Sequence, residues 1–204
     1  IFIQISRSED ILMFVMFLII ALVTGILTTK IRQREKAVLQ REERAVALYN
    51  LANDLTKTKN LDEVIKESVK NLRKVFLSEV VFLLFDKNKN ELLEVFNSEN
   101  LKISEKELSV AQWVYGNGKR AGHYTDSLPF AKYIYYPLTG PRGTYGTVGL
   151  KMKDEILFRE KETLLDSFVK QTGAAIEREM LNQTANKALL FEESEKLYSE
   201  VTRF

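Results

Sequence analysis

The side chains able to do chemistry in this 204-residue chain are few. There is one histidine, His123, and no cysteine. The missing thiols exclude disulfides, cysteine-ligated zinc and thiol nucleophiles. A Ser-His-Asp triad, a histidine-based metal site or an axial haem ligand would have to be built on His123 alone. That residue sits in the run AGHYTD near Asp126, and no nucleophile-elbow serine accompanies it. An exposed loop histidine is the expectation there, since an imidazole is not functional by default. Neither Walker nor dinucleotide glycine spacing occurs, and GPRG at 140–143 reads as a turn between strands. No catalytic residue, metal ligand or cofactor is therefore expected within this stretch.

What remains is an aromatic and polar set concentrated between residues 113 and 145. Trp113 and Tyr136, with Thr125, Asp126 and Arg142, have the composition of a small-molecule pocket: apolar rings with a few polar tips. The same residues are also open to plain core and sheet packing, because Lys132–Pro137 alternates as a strand does.

The elements that would position this set read as follows. A helix spans 61–76 behind an Asn60 or Asp62 cap, with Leu61, Val64, Ile65, Val69, Leu72 and Phe76 on one face. Residues 79–86 (EVVFLLFD) form a strand apolar enough to be buried on both faces. DKNKN turns it back into a strand over 91–97. Ser104 and Glu107 form a capping box for a helix closed by Gly116 and Gly118. Strands follow over 132–139 and 144–152, then one helical pattern from Glu160 to the end. The fold class is α+β: an antiparallel sheet with helices gathered on one side, flanked by an N-terminal and a long C-terminal helix.

Upstream, Ile11–Leu27 carries no charge over 17 residues, enough to span a bilayer. The chain then continues without proline through a charged helical stretch. Only a helix serves both halves, because a lipid-exposed backbone must satisfy its own hydrogen bonds. Lys30, Arg32, Arg34, Lys36, Arg41 and Arg44 follow the span, whereas Arg7 alone precedes it, which puts the C-terminal side in the cytoplasm. Ile31, Val38, Ala45 and Leu48 lie on a heptad lattice, and so do Val169, Ile176, Leu190 and Leu197. Arg34, Arg41 and Gln183 interrupt these seams. Such seams suit a parallel coiled coil in a homodimer; a lone amphipathic helix lying on the domain is the other reading. Lys+Arg 30 against Asp+Glu 28 leaves a net charge of +2, no footprint for nucleic acid. The expected division is an external loop remnant at 1–10, a transmembrane helix at 11–29, a juxtamembrane helix at 30–58, a sheet domain at 59–180 and an output helix at 181–204. The start at Ile1 and the helical end suggest a piece of a longer chain.

Several short runs point further. Ala111-Gln112-Trp113, Ala121-Gly122 with Thr125–Pro129, Pro137-Leu138, GTVGL and LLDSFVKQTGAAIERE stand in the order and spacing of the GAF-type domain of KdpD-like sensor histidine kinases, which this chain resembles from the last membrane span onward. The resemblance implies a GAF-like fold in a dimeric, potassium-responsive two-component sensor of the bacterial inner membrane, with the domain cytoplasmic. It implies a kinase core, with phosphoacceptor histidine and ATP-binding domain, beyond Phe204. Bilin attachment and methionine-sulfoxide reduction, known in other GAF domains, need cysteines this chain lacks. The ordered Asn-Lys-Phe-Asp-Glu set of cyclic-nucleotide GAF domains is also missing. The alternative implied is a small-molecule-binding GAF sensor on a membrane protein that is not a kinase.

Overall fold

The computed structural model describes residues 8–98 and 103–201. The expected external loop remnant falls largely outside them. The chain divides into two compact units, residues 1–46 and 47–204.

The first unit is carried by helix α1, Ser8–Thr56, whose last turns continue into the second unit. From Ile11 to Leu27 its apolar side chains stand open on every face, as a lipid-facing helix requires. This is the one helix among the described residues long and apolar enough to cross a membrane. Ile31, Val38 and Ala45 of the expected seam are likewise exposed.

The second unit is built on a five-stranded sheet, β1 (Glu79–Asp86), β2 (Glu91–Asn97), β3 (Ala121–Gly122), β4 (Ile134–Gly140) and β5 (Gly143–Lys151). The order is β2-β1-β5-β4-β3 with every neighbour antiparallel. Strand β1 pairs on both edges, Val81 opposite Gly149 and Asn97, so its density of apolar residues is buried on both faces.

Alternation along the strands then selects two cores. Val80, Phe82, Leu84, Tyr136, Leu138, Val148 and Leu150 face the end of α1, helix α2 (Leu61–Phe76) and helix α4 (Glu155–Val201). Val81, Leu83, Tyr133 and Tyr135 face helix α3 (Glu105–Asn117). The grouping of helices on one side thus holds for α2 and α4, while α3 covers the opposite face, because a doubly apolar β1 needs a cover on each side. Phe76 meets Phe168 edge-on at 5.3 Å, joining α2 to α4.

Local signals explain the helix ends. Asn60 Oδ1 accepts from the Glu63 amide at 2.8 Å, so Asn60 rather than Asp62 caps α2. Ser104 caps α3 by accepting from the Glu107 amide, yet the capping box is only half made. Glu107 turns inward, and its Oε1 accepts from the Lys132 amide at 2.6 Å. Helix α4 starts at Glu155, ahead of the expected Glu160, because Asp154 accepts from the Leu157 amide at 2.7 Å.

One expectation about α4 is corrected. Val169 and Ile176, assigned to the dimer seam, are 3% and 0% exposed and belong to the core of the domain. Heptad spacing approximates any helical stripe, and this stripe is filled by the domain's own sheet. Leu48 is half-buried against the same core. Leu190 stands 65% exposed, whereas Leu197 lies outside the residues whose side chains are described.

Candidate functional site

The five residues expected to form a pocket are not brought together. Trp113 packs at the margin of the α3-side core, whereas Tyr136 points to the opposite face of the sheet. Successive strand residues alternate, so Tyr135 and Tyr136 cannot share a face. Thr125 Oγ1 donates within its own loop, to the Gly122 and Ser127 carbonyl oxygens, and Asp126 is exposed. Arg142 lies at the β4–β5 turn. His123, expected to be exposed, is half-buried with its ring 4.0 Å from Tyr124, and its amide donates to Tyr133 O at 3.0 Å.

The α3 face, to which Trp113 belongs, is filled. Tyr133, Tyr135, Val110, Ala111 and Val114 close it. Burial and the neighbouring Glu107 carboxylate push the Tyr135 hydroxyl well above the ordinary tyrosine range, so it stays neutral.

The structure concentrates its unusual contacts elsewhere, where α1 ends against α4 and the β4–β5 hairpin. Leu51 and Leu55, in the last turns of α1, are 0% and 4% exposed within the core that α4 also lines. Arg178 of α4 reaches back and donates from Nη2 to the Leu55 carbonyl oxygen at 2.7 Å. That carbonyl lies in the last turn of α1, where it lacks an intrahelical partner. Thr58 Oγ1 donates to the same oxygen at 2.8 Å. Asn71 of α2 donates to Asp54 Oδ2 at 3.0 Å, so both α2 and α4 hold the end of α1 through polar contacts.

Helix α4 is held to the hairpin one residue before Arg178. Glu177 is 4% exposed, and its Oε2 accepts from the Arg142 amide at 3.3 Å, with Arg142 Nε 3.8 Å from Oε1. Two glycines permit this approach. A Cβ on Gly140 would collide with the Glu177 carboxylate, and one on Gly173 would lie 2.3 Å from Thr139 O. Helix and strand backbones therefore touch with nothing between them. The end of α1, the hairpin and α4 thus meet at one place. Sequence reasoning did not find Glu177, Arg178, Gly140 or Gly173 as a site. The available signal was Gly173, a glycine inside a helical pattern, which often marks a packing constraint. Among the described residues no cluster of His, Asp and Glu has metal-binding geometry.

Comparison with known proteins agrees with this architecture. The chain is 26% identical over 197 residues to the sensor protein KdpD of Clostridium acetobutylicum, covering 93% of this chain and 22% of that protein. The KdpD of Escherichia coli K12 gives 26% identity over 195 residues, 95% of this chain and 22% of the relative. The chain thus spans about a fifth of the length of these curated relatives. Among solved structures, the native GAF domain of the potassium sensor histidine kinase KdpD from Escherichia coli superposes with a TM-score of 0.61 at 25% identity, covering 69% of this chain and 98% of that one. The GAF domain of an Acinetobacter phosphoenolpyruvate-protein phosphotransferase shares the fold at 12% identity, with a TM-score of 0.54 over 70% of this chain and 98% of that one. The sequence model of the GAF domain matches residues 60–178, the stretch that runs from the cap of α2 to the residue bonded to α1's end, and the chain belongs to the GAF domain family.

Proposed function

We propose that this chain is the signal-relay region of a KdpD-like, membrane-bound two-component sensor histidine kinase responding to potassium or osmotic conditions. In this reading the GAF domain lies on the cytoplasmic side of a bacterial inner membrane, in a homodimer, upstream of a kinase core in the same longer chain. The observation that carries it is the junction at Leu55. The helix bearing the membrane-length apolar run ends inside the GAF core, and its last turn is bonded directly to the helix that leaves the domain. A relay needs two packings that a stimulus biases differently. Seams interrupted by Arg34, Arg41 and Gln183 leave the helices outside the domain free to exchange partners or register. The basic run after the apolar segment supports the cytoplasmic side.

The chain lacks cysteine, so single-cysteine variants report cleanly. In lipid nanodiscs, Ile31→Cys, Val38→Cys and Leu190→Cys should form disulfide dimers readily under mild oxidation. Gln33→Cys, Gln40→Cys and Ala188→Cys, on the far side of each helix, should not. Equal cross-linking at all six, or at none, refutes the dimeric relay. The second reading, a small-molecule-binding GAF sensor, is favoured by a polar cleft on α4.

A further inference from the structure

Away from the Leu55 junction, a cleft of about 370 Å³ opens between the first half of α4, strand β4 and the end of α3. Arg120, Tyr136, Glu162, Asp166 and Lys170 line it, with the Gly118 backbone at its rim. The Arg120 guanidinium is paired with Glu162. Tyr136 enters from below, its side chain 3% exposed. Its hydroxyl lies beside the Arg120 guanidinium, which can only donate to the phenol oxygen, so the O–H proton itself meets no acceptor among the described residues. A buried hydroxyl proton without an acceptor is costly, and native folds seldom leave one without a use.

The charges around this hydroxyl are of both signs. Two cations, Arg120 and Lys170, and two carboxylates, Glu162 and Asp166, share a space sized for one small molecule. Burial, with the neighbouring Glu162, raises the Asp166 carboxyl above the usual carboxylate range, against the pull of Arg120 and Lys170. A positive group beside Asp166 would relieve that penalty. A negative group beside Lys170 and Arg120 would compete with Glu162 for the guanidinium. Neither a plain anion nor a plain cation satisfies both halves. The opening is also too small for a nucleotide to bury most of its surface.

We propose that this cleft binds a small zwitterion carrying an ammonium and a carboxylate, the chemistry of a free α-amino acid. Asp166 and Glu162 hold the ammonium, Arg120 and Lys170 hold the carboxylate, and the Tyr136 hydroxyl donates to the ligand. The site lies on the opposite side of the sheet from the α3-covered face and is independent of the five-residue pocket expected from sequence, with which it shares only Tyr136. Four of its lining residues, Glu162, Asp166, Val169 and Lys170, belong to α4, so occupancy would fasten that helix to β4 and the end of α3. The proposal goes beyond the relay reading and does not rest on it, because binding and cross-linking are separate measurements.

The test is calorimetric titration of the whole chain in detergent micelles with the free proteinogenic amino acids, each compared with its N-acetyl and carboxamide derivatives. At least one free amino acid should bind saturably. Masking either charge should weaken it by about tenfold, the size of one hydrogen bond to a charged group. Asp166→Asn should weaken it similarly, Tyr136→Phe less, and Asp126→Asn, outside the cleft, not at all. Thermal unfolding of each variant shows whether it is folded. The proposal is overturned if no free amino acid binds saturably, or if binding survives both masking and Asp166→Asn.

Discussion

Substitution of Gly173 tests the backbone contact between helix α4 and strand β4. A Cβ at this position would sit 2.3 Å from Thr139 O and 2.8 Å from the Thr139 N and C atoms, where ordinary contact begins at 3.4 Å. All three obstacles are backbone, so α4 must lift from β4 by roughly 1 Å, with loss of dispersion contacts around Val169 and Ile176. Overpacking of this kind costs roughly 1–3 kcal/mol or more. Exchanging glycine for alanine inside a helix returns about 1 kcal/mol of propensity. With three backbone atoms in conflict the upper part of the range applies, and Gly173→Ala should destabilise the domain by about 2 kcal/mol. That corresponds to a drop of roughly 4–8 °C in Tm for a domain of this size. Gly116→Ala is the control: it is helical and has nothing within 4 Å of its Cβ, so it should hold or gain up to about 1 kcal/mol. Trp113 is the single tryptophan and is half-buried on the domain, so its fluorescence during thermal unfolding reads the GAF unit alone. If Gly173→Ala is as stable as the parent or more so, α4 does not touch β4 as described.

Arg178→Met keeps much of the side chain's length but removes the bond to Leu55 O, and should cost about 1 kcal/mol by denaturant titration while increasing hydrogen exchange at the end of α1; unchanged exchange there would show that the contact couples nothing. Glu107→Gln keeps an acceptor for the Lys132 amide and should lose little stability, whereas Glu107→Ala leaves that amide unpaired and should lose about 1–3 kcal/mol; equal unfolding midpoints would contradict this. Tyr135 and Tyr136 have hydroxyls raised above the ordinary value of about 10, so folding favours their neutral form. Their contribution is complete below that value and is lost as pH rises above it. In an alkaline pH jump their tyrosinate absorbance should therefore appear only with unfolding, and ionisation of all eight tyrosines in the mixing time would refute their burial. Asp166→Asn removes a carboxylate whose charged form burial opposes, so at neutral pH it should leave thermal stability equal or higher even as it weakens ligand binding; a marked loss of stability would mark Asp166 as a structural residue.

Much of this architecture was legible in the residues alone. The apolar run Ile11–Leu27, the Asn60 cap, the β1–β2 hairpin and the Ser104 start of α3 are local signals: each depends on side chains within a few positions of one another, so spacing reveals them. The family resemblance was carried the same way, by short runs in order. The contacts that tie distant elements together were not local. The Leu55 junction joins residues 123 positions apart, and the capping acid Glu107 turned out to hold an amide 25 positions away. A seven-residue lattice could not tell a dimer seam from a core stripe, since both bury one face of a helix. Only the sheet lying under Val169 and Ile176 made that choice, while the same lattice at Leu190 remains open to solvent. Likewise composition assembled Trp113, Thr125, Asp126, Tyr136 and Arg142 into one pocket. The pleat of β4 separated them, because adjacent strand residues must point to opposite faces, and it placed Tyr136 instead beneath Arg120, Glu162 and Asp166.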